Sequence, residues 1–147
     1  MGKGFRTGTI FLLLAAPGAW GALGAAPDLP VRPVAALSAG GLPSYTIHAA
    51  VDAAGVSVSE YVNAQGQVFA VSWQGPFRPD LPALLGSHAS HYQAMASRAL
   101  PRGLNAPAQG QDGDLVIHAG GHPKAFFGYA YLASLLPAGF DPAVLLR

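Results

Sequence analysis

Two alternating runs, VSVSEYV and QVFAVSW, flank NAQG between Val56 and Trp73. No other stretch constrains the fold as tightly. Apolar residues at every second position suit a half-buried strand, because successive side chains point to opposite faces. Asn at the first and Gly at the fourth position of NAQG suit a type I turn, so the two runs close into an antiparallel hairpin. With a four-residue loop, Val62 faces Gln67, Glu60 faces Phe69, Val58 faces Val71 and Val56 faces Trp73. One face then carries Val56, Val58, Val62, Phe69, Val71 and Trp73; the other carries Ser57, Ser59, Tyr61, Val68, Ala70 and Ser72. A three-residue loop shifts the pairing but leaves each strand's own alternation intact.

The flanking segments fit around this hairpin. Tyr45–Val51 alternates as a further strand, and 22–44, interrupted by Pro27, Pro30, Pro33 and Pro43, reads as an extended lead-in. Gly75-Pro76 breaks the strand that ends near Trp73, which makes that corner the hinge between sheet and helix. Asp80 is placed to cap a helix from about 81 to 98, with Pro82 tolerated in its first turn. Leu81, Leu84, Leu85, His88, Tyr92, Met95 and Ala99 follow helical spacing, and Pro101 stops the run. Residues 101–113 read as a polar loop. A second hairpin is predicted over 114–119 and 124–132, turning at Gly120-Gly121, and Asp141-Pro142 opens a short terminal helical turn. The resulting order, β-β-β-α-β-β, is an α+β fold: a small antiparallel sheet of two hairpins plus one strand, with one amphipathic helix packed on it. A small β-sandwich carrying one helix is the competing architecture.

The N-terminus has the anatomy of a signal peptide over 1–21. Lys3 and Arg6 form a basic start, IFLLLAA from Ile10 to Ala16 an apolar middle, and Ala19-Trp20-Gly21 a small-residue exit that places cleavage near Gly21-Ala22. A cut after Gly24 is the alternative. The apolar run falls short of the roughly 20 residues that span a bilayer, so no membrane span is expected in the mature form. The expected domain organisation is therefore signal peptide 1–21, lead-in 22–44 and a single α+β domain over 45–147. Removing Lys3 and Arg6 from 8 basic residues leaves 6 against 7 acidic ones. Without a basic cluster, nucleic acid and anionic lipid are not expected partners. The chain has no cysteine, which excludes disulfide stapling, a thiolate nucleophile and a lipidated N-terminal Cys. Charged residues make up only 10%, against about 25% in ordinary domains, so the surface must be built from Ser, Gln, Ala and Gly. Compositional bias accounts for this, and so does a partner.

Five histidines are the first candidates for chemistry: His48 on the first strand, His88 and His91 on the helix, His118 and His122 around the second hairpin turn. A zinc or copper site needs three or four converging ligands. At roughly 100° per residue His88 falls inside the apolar helix face and His91 about 60° from it, which favours a hydrogen-bonded core-edge imidazole at His88. There is no HExxH, and Glu60 is the only glutamate. Ser87 follows Gly86 without a nucleophile-elbow motif. Ser57 and Ser59 occupy a polar strand face, and Asp112 with Asp114 reads as a turn. No catalytic residue, metal ligand or cofactor is assigned. The stripe Phe127, Tyr129, Tyr131, continued by Ala125, is the best binding candidate, although the same spacing is what a strand contributes to a core. Core is the preferred reading, with Phe126 facing outward beside Lys124.

EYVNAQGQVFAVSWQGPFRPDLPALLG together with GGHPKAFFGYAYLASLLPAG resembles the family of small secreted proteobacterial proteins called domain of unknown function 2844. The likeness rests on Glu60-Tyr61-Val62, Val68-Phe69-Ala70-Val71 with Trp73, Gly75-Pro76, Pro79-Asp80-Leu81, Leu84-Leu85-Gly86, Gly120-Gly121-His122, Ala125-Phe126, Gly128 and Ala130-Tyr131. Members often carry a basic residue where this chain has Ser59. The resemblance implies export from a Gram-negative cell and no activity. The functional expectation is a non-enzymatic periplasmic or secreted protein acting on an envelope protein or ligand through whatever surface the second hairpin leaves exposed. The alternative is a histidine-based metal-binding protein or metal-dependent hydrolase using His88, His91, His118 or His122.

Overall fold

Strands β1 (Tyr45–Val51), β2 (Ser57–Asn63), β3 (Val68–Gly75), β4 (Ala108–Asp112), β5 (Leu115–His122) and β6 (Ala125–Leu132) form one antiparallel sheet in the order β1-β2-β3-β6-β5-β4. A computed structural model describes residues 22–30, 45–98 and 108–146. The predicted leader over 1–21, positions 31–44 of the lead-in, Ala99, the stop at Pro101 and the rest of the loop up to 107 lie outside the described residues. Between β3 and β4 runs the predicted helix, in two pieces: α1 (Leu81–Leu85) and α2 (Ala89–Arg98), joined by a 3-10 turn over Gly86–His88. The α+β architecture holds, with one helical segment packed on an antiparallel sheet.

The central hairpin forms, with a tighter turn and a different register. Asn63 pairs with Gln67 through its N–H, 3.0 Å from the Gln67 carbonyl oxygen, and its Oδ1 accepts from Gln65 N–H at 3.1 Å and Gln67 N–H at 3.0 Å. The side chain thus closes a three-residue loop. Val62 then pairs with Val68, but Tyr61 pairs with Ala70, leaving Phe69 as the extra residue of a β-bulge. The bulge exchanges the faces expected for two residues. Val68 joins Val56, Val58, Val62, Val71 and Trp73 under the helix, while Phe69 joins Tyr61 and Ala70 on the opposite face. Trp73 therefore shares its face with Val71 and not with Phe69, and its partner on β2 is Val58 rather than Val56.

The helix obeys its pattern until Gly86. Asp80 Oδ1 accepts from Ala83 N–H at 3.1 Å, which caps the first turn. Leu84 and Leu85 are fully buried, and Tyr92 and Met95 pack against the same core. Gly86 breaks the run at φ 54°, and a Cβ there would collide with Ala22. The lead-in takes the vacated space. Leu23, 2% exposed, is a core residue, and its N–H donates to the Leu84 carbonyl at 3.0 Å. Gly24 N–H donates to Val68 O at 2.8 Å, and Val68 N–H to Ala25 O at 2.9 Å. Further along, His48 Nδ1 lies 2.8 Å from Leu29 O, so it must donate. Glu60, wholly buried, accepts at Oε2 from the N–H groups of Asp28 (3.3 Å) and Leu29 (3.4 Å). His48 and Glu60 face each other across β1 and β2, so these two buried polar side chains of this face bind the lead-in backbone.

Two other expectations are corrected. The stretch expected to be an unbroken loop contains edge strand β4, which pairs with β5 through Gly110–Ile117 and its neighbours. Its sequence, AQGQD, has no apolar alternation because an edge strand's outer groups face water. The second hairpin does not turn at Gly120-Gly121. Both glycines lie within β5, opposite Phe127 and Phe126, and the chain turns at Pro123-Lys124, where Lys124 has φ 76°. Glycine at 120 leaves room for the Phe127 ring, whose Cζ would lie 3.3 Å from an added Cβ.

The second face has its own small core. The C-terminal segment folds back through Pro137–Phe140 into the 3-10 turn Pro142–Leu146. Asp141 Oδ1 accepts from Ala143 N–H at 2.9 Å, as expected for a cap. Phe140 meets Phe69 at 4.9 Å and Tyr45 at 5.2 Å between centroids, both edge-to-face, and Leu145 is buried with them. On the helix face, the indole of Trp73 lies directly on Gly128, where a Cβ would collide with the ring and come within 2.6 Å of the His118 carbonyl oxygen. Gly128→Ala is expected to destabilise the protein by about 1–3 kcal/mol and to red-shift tryptophan emission as the Trp73 ring is displaced. An unchanged denaturation midpoint would contradict this packing.

Candidate functional site

The sheet has two faces, and the described residues cover only part of the second. In register across it run Ala49, Ser59, Ser72, Tyr129, His118 and Gln109, and beside them Val51, Ser57, Gln74, Phe127 and Gly120. The C-terminal segment covers the adjacent rows, where Ile47, Tyr61, Tyr131 and Phe69 lie. Beside Leu145 and Leu146 lies a groove of about 390 Å³. Ser57, Ser59, Ser72 and Gln74 form its floor, Phe127 and Tyr129 one side, and Leu145 and Leu146 the other. Serines make a low floor beside the larger Phe127 and Tyr129 of β6.

The aromatic side is ordered by stacking. His118 lies parallel to Tyr129, with ring centroids 5.5 Å apart and planes 7° apart, and Tyr131 continues the set at 6.3 Å and 11°. Tyr129, in the middle of this set, also lines the groove. Phe127 is 44% exposed. The stripe expected to be core is therefore divided: Tyr131 and part of Tyr129 pack on the second core, while Phe127 stays open to solvent. Phe126 is the corrected partner of this pair. It lies half-buried on the helix side under Arg78, whose guanidinium carbon sits 5.2 Å from the ring centroid.

None of the described residues that line the groove carries a charge. The hydroxyls of Ser57, Ser59 and Tyr129 and the amide of Gln74 make no hydrogen bond among the described residues. Ser72 bonds the phenol of Tyr61, whose pKa burial pushes up; the Ser72 bond opposes that, and Tyr45 adds to it. Tyr61 is therefore a neutral hydroxyl at physiological pH and no base. The groove offers donors, acceptors and ring surface, and no carboxylate, imidazole or amine to move a proton.

The residues singled out for chemistry are dispersed. His48 holds the lead-in, and His118 belongs to the aromatic row. His122 ends β5 at the hairpin tip, 3.2 Å from the Pro123 carbonyl oxygen. His88 is half-buried against His91, rings 6.1 Å apart, and makes no hydrogen bond among the described residues, contrary to expectation. His91 donates from Nδ1 to Asp112 Oδ2 at 2.7 Å, and Arg98 donates to Oδ1 of the same carboxylate at 3.3 Å, tying α2 to edge strand β4. Asp114 is engaged separately, accepting from Ser134 N–H and Oγ–H. Among the described residues, no three His, Asp or Glu side chains gather within reach of one metal ion. Ser87 sits exposed in the 3-10 turn, and Ser57 and Ser59 prove to be groove floor. Their alternation with Val56 and Val58 was visible in the sequence; that β3 lies beside β6, bringing Tyr129 to Ser72, was not.

The His91 bond, followed by the Arg98 charge, holds the Asp112 carboxyl below its ordinary pKa. Because the folded value is depressed, the stabilisation is complete above the ordinary carboxylate range and is lost as pH falls through the lowered value. An NMR titration should place the Asp112 midpoint below that of an ordinary aspartate, and His91→Ala should move it back up. A midpoint indifferent to His91→Ala would contradict the pairing.

The sequence profile of the family described as "Protein of unknown function (DUF2844)" matches residues 19–145. No curated protein and no solved structure matches the chain. The matched span takes in the hairpin with its bulge, the helix, Trp73 with Gly128, and the strands that build the groove. The chain belongs to the DUF2844 family.

Proposed function

We propose that this is an exported, periplasmic protein that works by binding rather than by catalysis, through the groove on the second face of its sheet. The observation that carries the binding role is the combination in that groove of unengaged hydrogen-bonding groups, open aromatic surface and an uncharged lining. Clefts of about 300–1,000 Å³ with a few placed polar groups are the usual form of small-molecule sites. Nucleophilic or acid–base chemistry needs a positioned base, and the lining supplies none. Export rests on the leader anatomy at 1–21 and on the resemblance to secreted proteins.

The placement of Leu23 bears on processing. A cut near Gly21-Ala22 leaves Leu23 in the core, whereas a cut after Gly24 would remove it together with the backbone bond from Gly24 to Val68. Burying a leucine contributes about 2 kcal/mol, so the mature protein is expected to begin at Ala22. Intact-mass measurement on the periplasmic fraction tests this: a product beginning at Ala25, or full-length protein retained in the cytoplasm, overturns it.

The binding site is tested by a photo-reactive side chain at Ser59, on the groove floor, against one at Gln93, on the exposed side of α2. Irradiation in the periplasm should give discrete adducts at Ser59 and none at Gln93. Equal labelling at both positions, or none at Ser59, would remove the groove as the functional surface.

A further inference from the structure

We infer that the ligand of this groove is a neutral saccharide, one ring of which lies against Tyr129 with its hydroxyls on the serine floor. The inference rests on the groove being the binding site and names what it binds. Three properties of the lining select the class. First, the described lining residues carry no charge, which disfavours phosphates, carboxylates and amines, whose charges would be taken from water without a counter-charge from them. Second, the hydroxyls of Ser57, Ser59 and Tyr129 and the Gln74 amide are unengaged among the described residues. An acyl chain or other apolar ligand would desolvate them and leave them unsatisfied, whereas a polyhydroxylated ring satisfies both donors and acceptors. Ser59 and Ser72 are directly cross-strand, so their side chains stand about 4.5–5.5 Å apart at Cβ, a separation that two hydroxyls of one sugar ring can bridge. Third, the Tyr129 ring stacks on His118 at 5.5 Å and 7° and lines the groove together with the exposed ring of Phe127. A sugar presents flat C–H faces that pack on such rings while its equatorial hydroxyls point sideways.

The position of the groove argues against a peptide strand. Extended peptides are captured by adding to a free sheet edge through main-chain bonds. The groove lies over β2, β3 and β6, whose main chains are paired on both sides within the sheet. A saccharide needs only side-chain groups, which is what this face presents.

The test uses the mature protein and three defined probes, maltohexaose, cellohexaose and chitohexaose, titrated calorimetrically and by the change in intrinsic fluorescence. At least one should bind with 1:1 stoichiometry. Tyr129→Ala should weaken that binding at least tenfold, and Ser59→Val, which keeps a strand-forming side chain but removes a floor hydroxyl, should weaken it several-fold; Gln93→Ala should leave it unchanged. Circular dichroism on each variant separates loss of binding from loss of fold, and Ser59→Val keeps the test decisive if Tyr129→Ala does not fold. Failure of all three probes to bind the folded protein overturns the saccharide inference, as does binding that survives both groove substitutions. If Ser59 photo-adducts form while no saccharide binds, the groove remains the site and the ligand class is wrong. Dimerisation that Tyr129→Ala abolishes would assign the groove to a second copy of the chain instead.

Discussion

The extra residue that β3 places opposite Tyr61 and Val62 governs both sides of this sheet. A strand of strict period two delivers its apolar residues to one face. By inserting Phe69 as a bulge, β3 sends Val68, Val71 and Trp73 under the helix and Phe69 with Ala70 to the other side. The first set builds the main core. The second gives Phe140 and Leu145 a surface to pack on, which brings the C-terminal segment across the sheet. The lip of the groove at Leu145 and Leu146 is therefore a downstream consequence of a one-residue irregularity near the first turn.

The helix face is organised by a different constraint, the need to satisfy buried polar groups. Glu60 and His48 sit side by side on the face that carries the main apolar core, and burying them without partners would be costly. The lead-in backbone at Asp28 and Leu29 supplies part of what they require. Its other end is seated by the break at Gly86 and by Leu23 in the core. The irregular helix and the two buried polar side chains thus serve one purpose, docking residues 22–30 on the sheet. With α1, α2 and the lead-in on one face and the C-terminal segment on part of the other, the uncovered remainder is the patch of serines and aromatic rings to which we assign function.

Local chemistry was legible from residue order. The two strands of the Val56–Trp73 hairpin, the Asp80 cap, the leucines of α1, and the Asp141-Pro142 turn all depend on neighbours within a few positions, and each of these elements appears where expected. Errors arose where a residue's role depends on something distant. Gly120-Gly121 looks like a turn, but Phe126 and Phe127 across the hairpin need the space that glycine leaves. Residues 108–112 look like loop because a polar edge strand has no pattern of its own. Phe69 looks like a member of the Trp73 face because a bulge leaves alternation within each half of the strand undisturbed. The candidate site was the least legible element. Its serines and its aromatic rings each read as ordinary strand faces, and no motif marks them as neighbours.

By itself, then, the amino-acid sequence determined the element types other than β4, the family, the absence of thiol chemistry and the small store of charge, because these follow from residue identity and short-range spacing. The pairing of β3 with β6, the sharing of residues between two cores, the dispersal of the histidines, and the meeting of Ser59 and Ser72 with Tyr129 were decided only by tertiary structure. These depend on which strands lie side by side and on which surfaces the two terminal segments cover. Such choices are made by the total burial of many weak contacts, and no local pattern of residues encodes them.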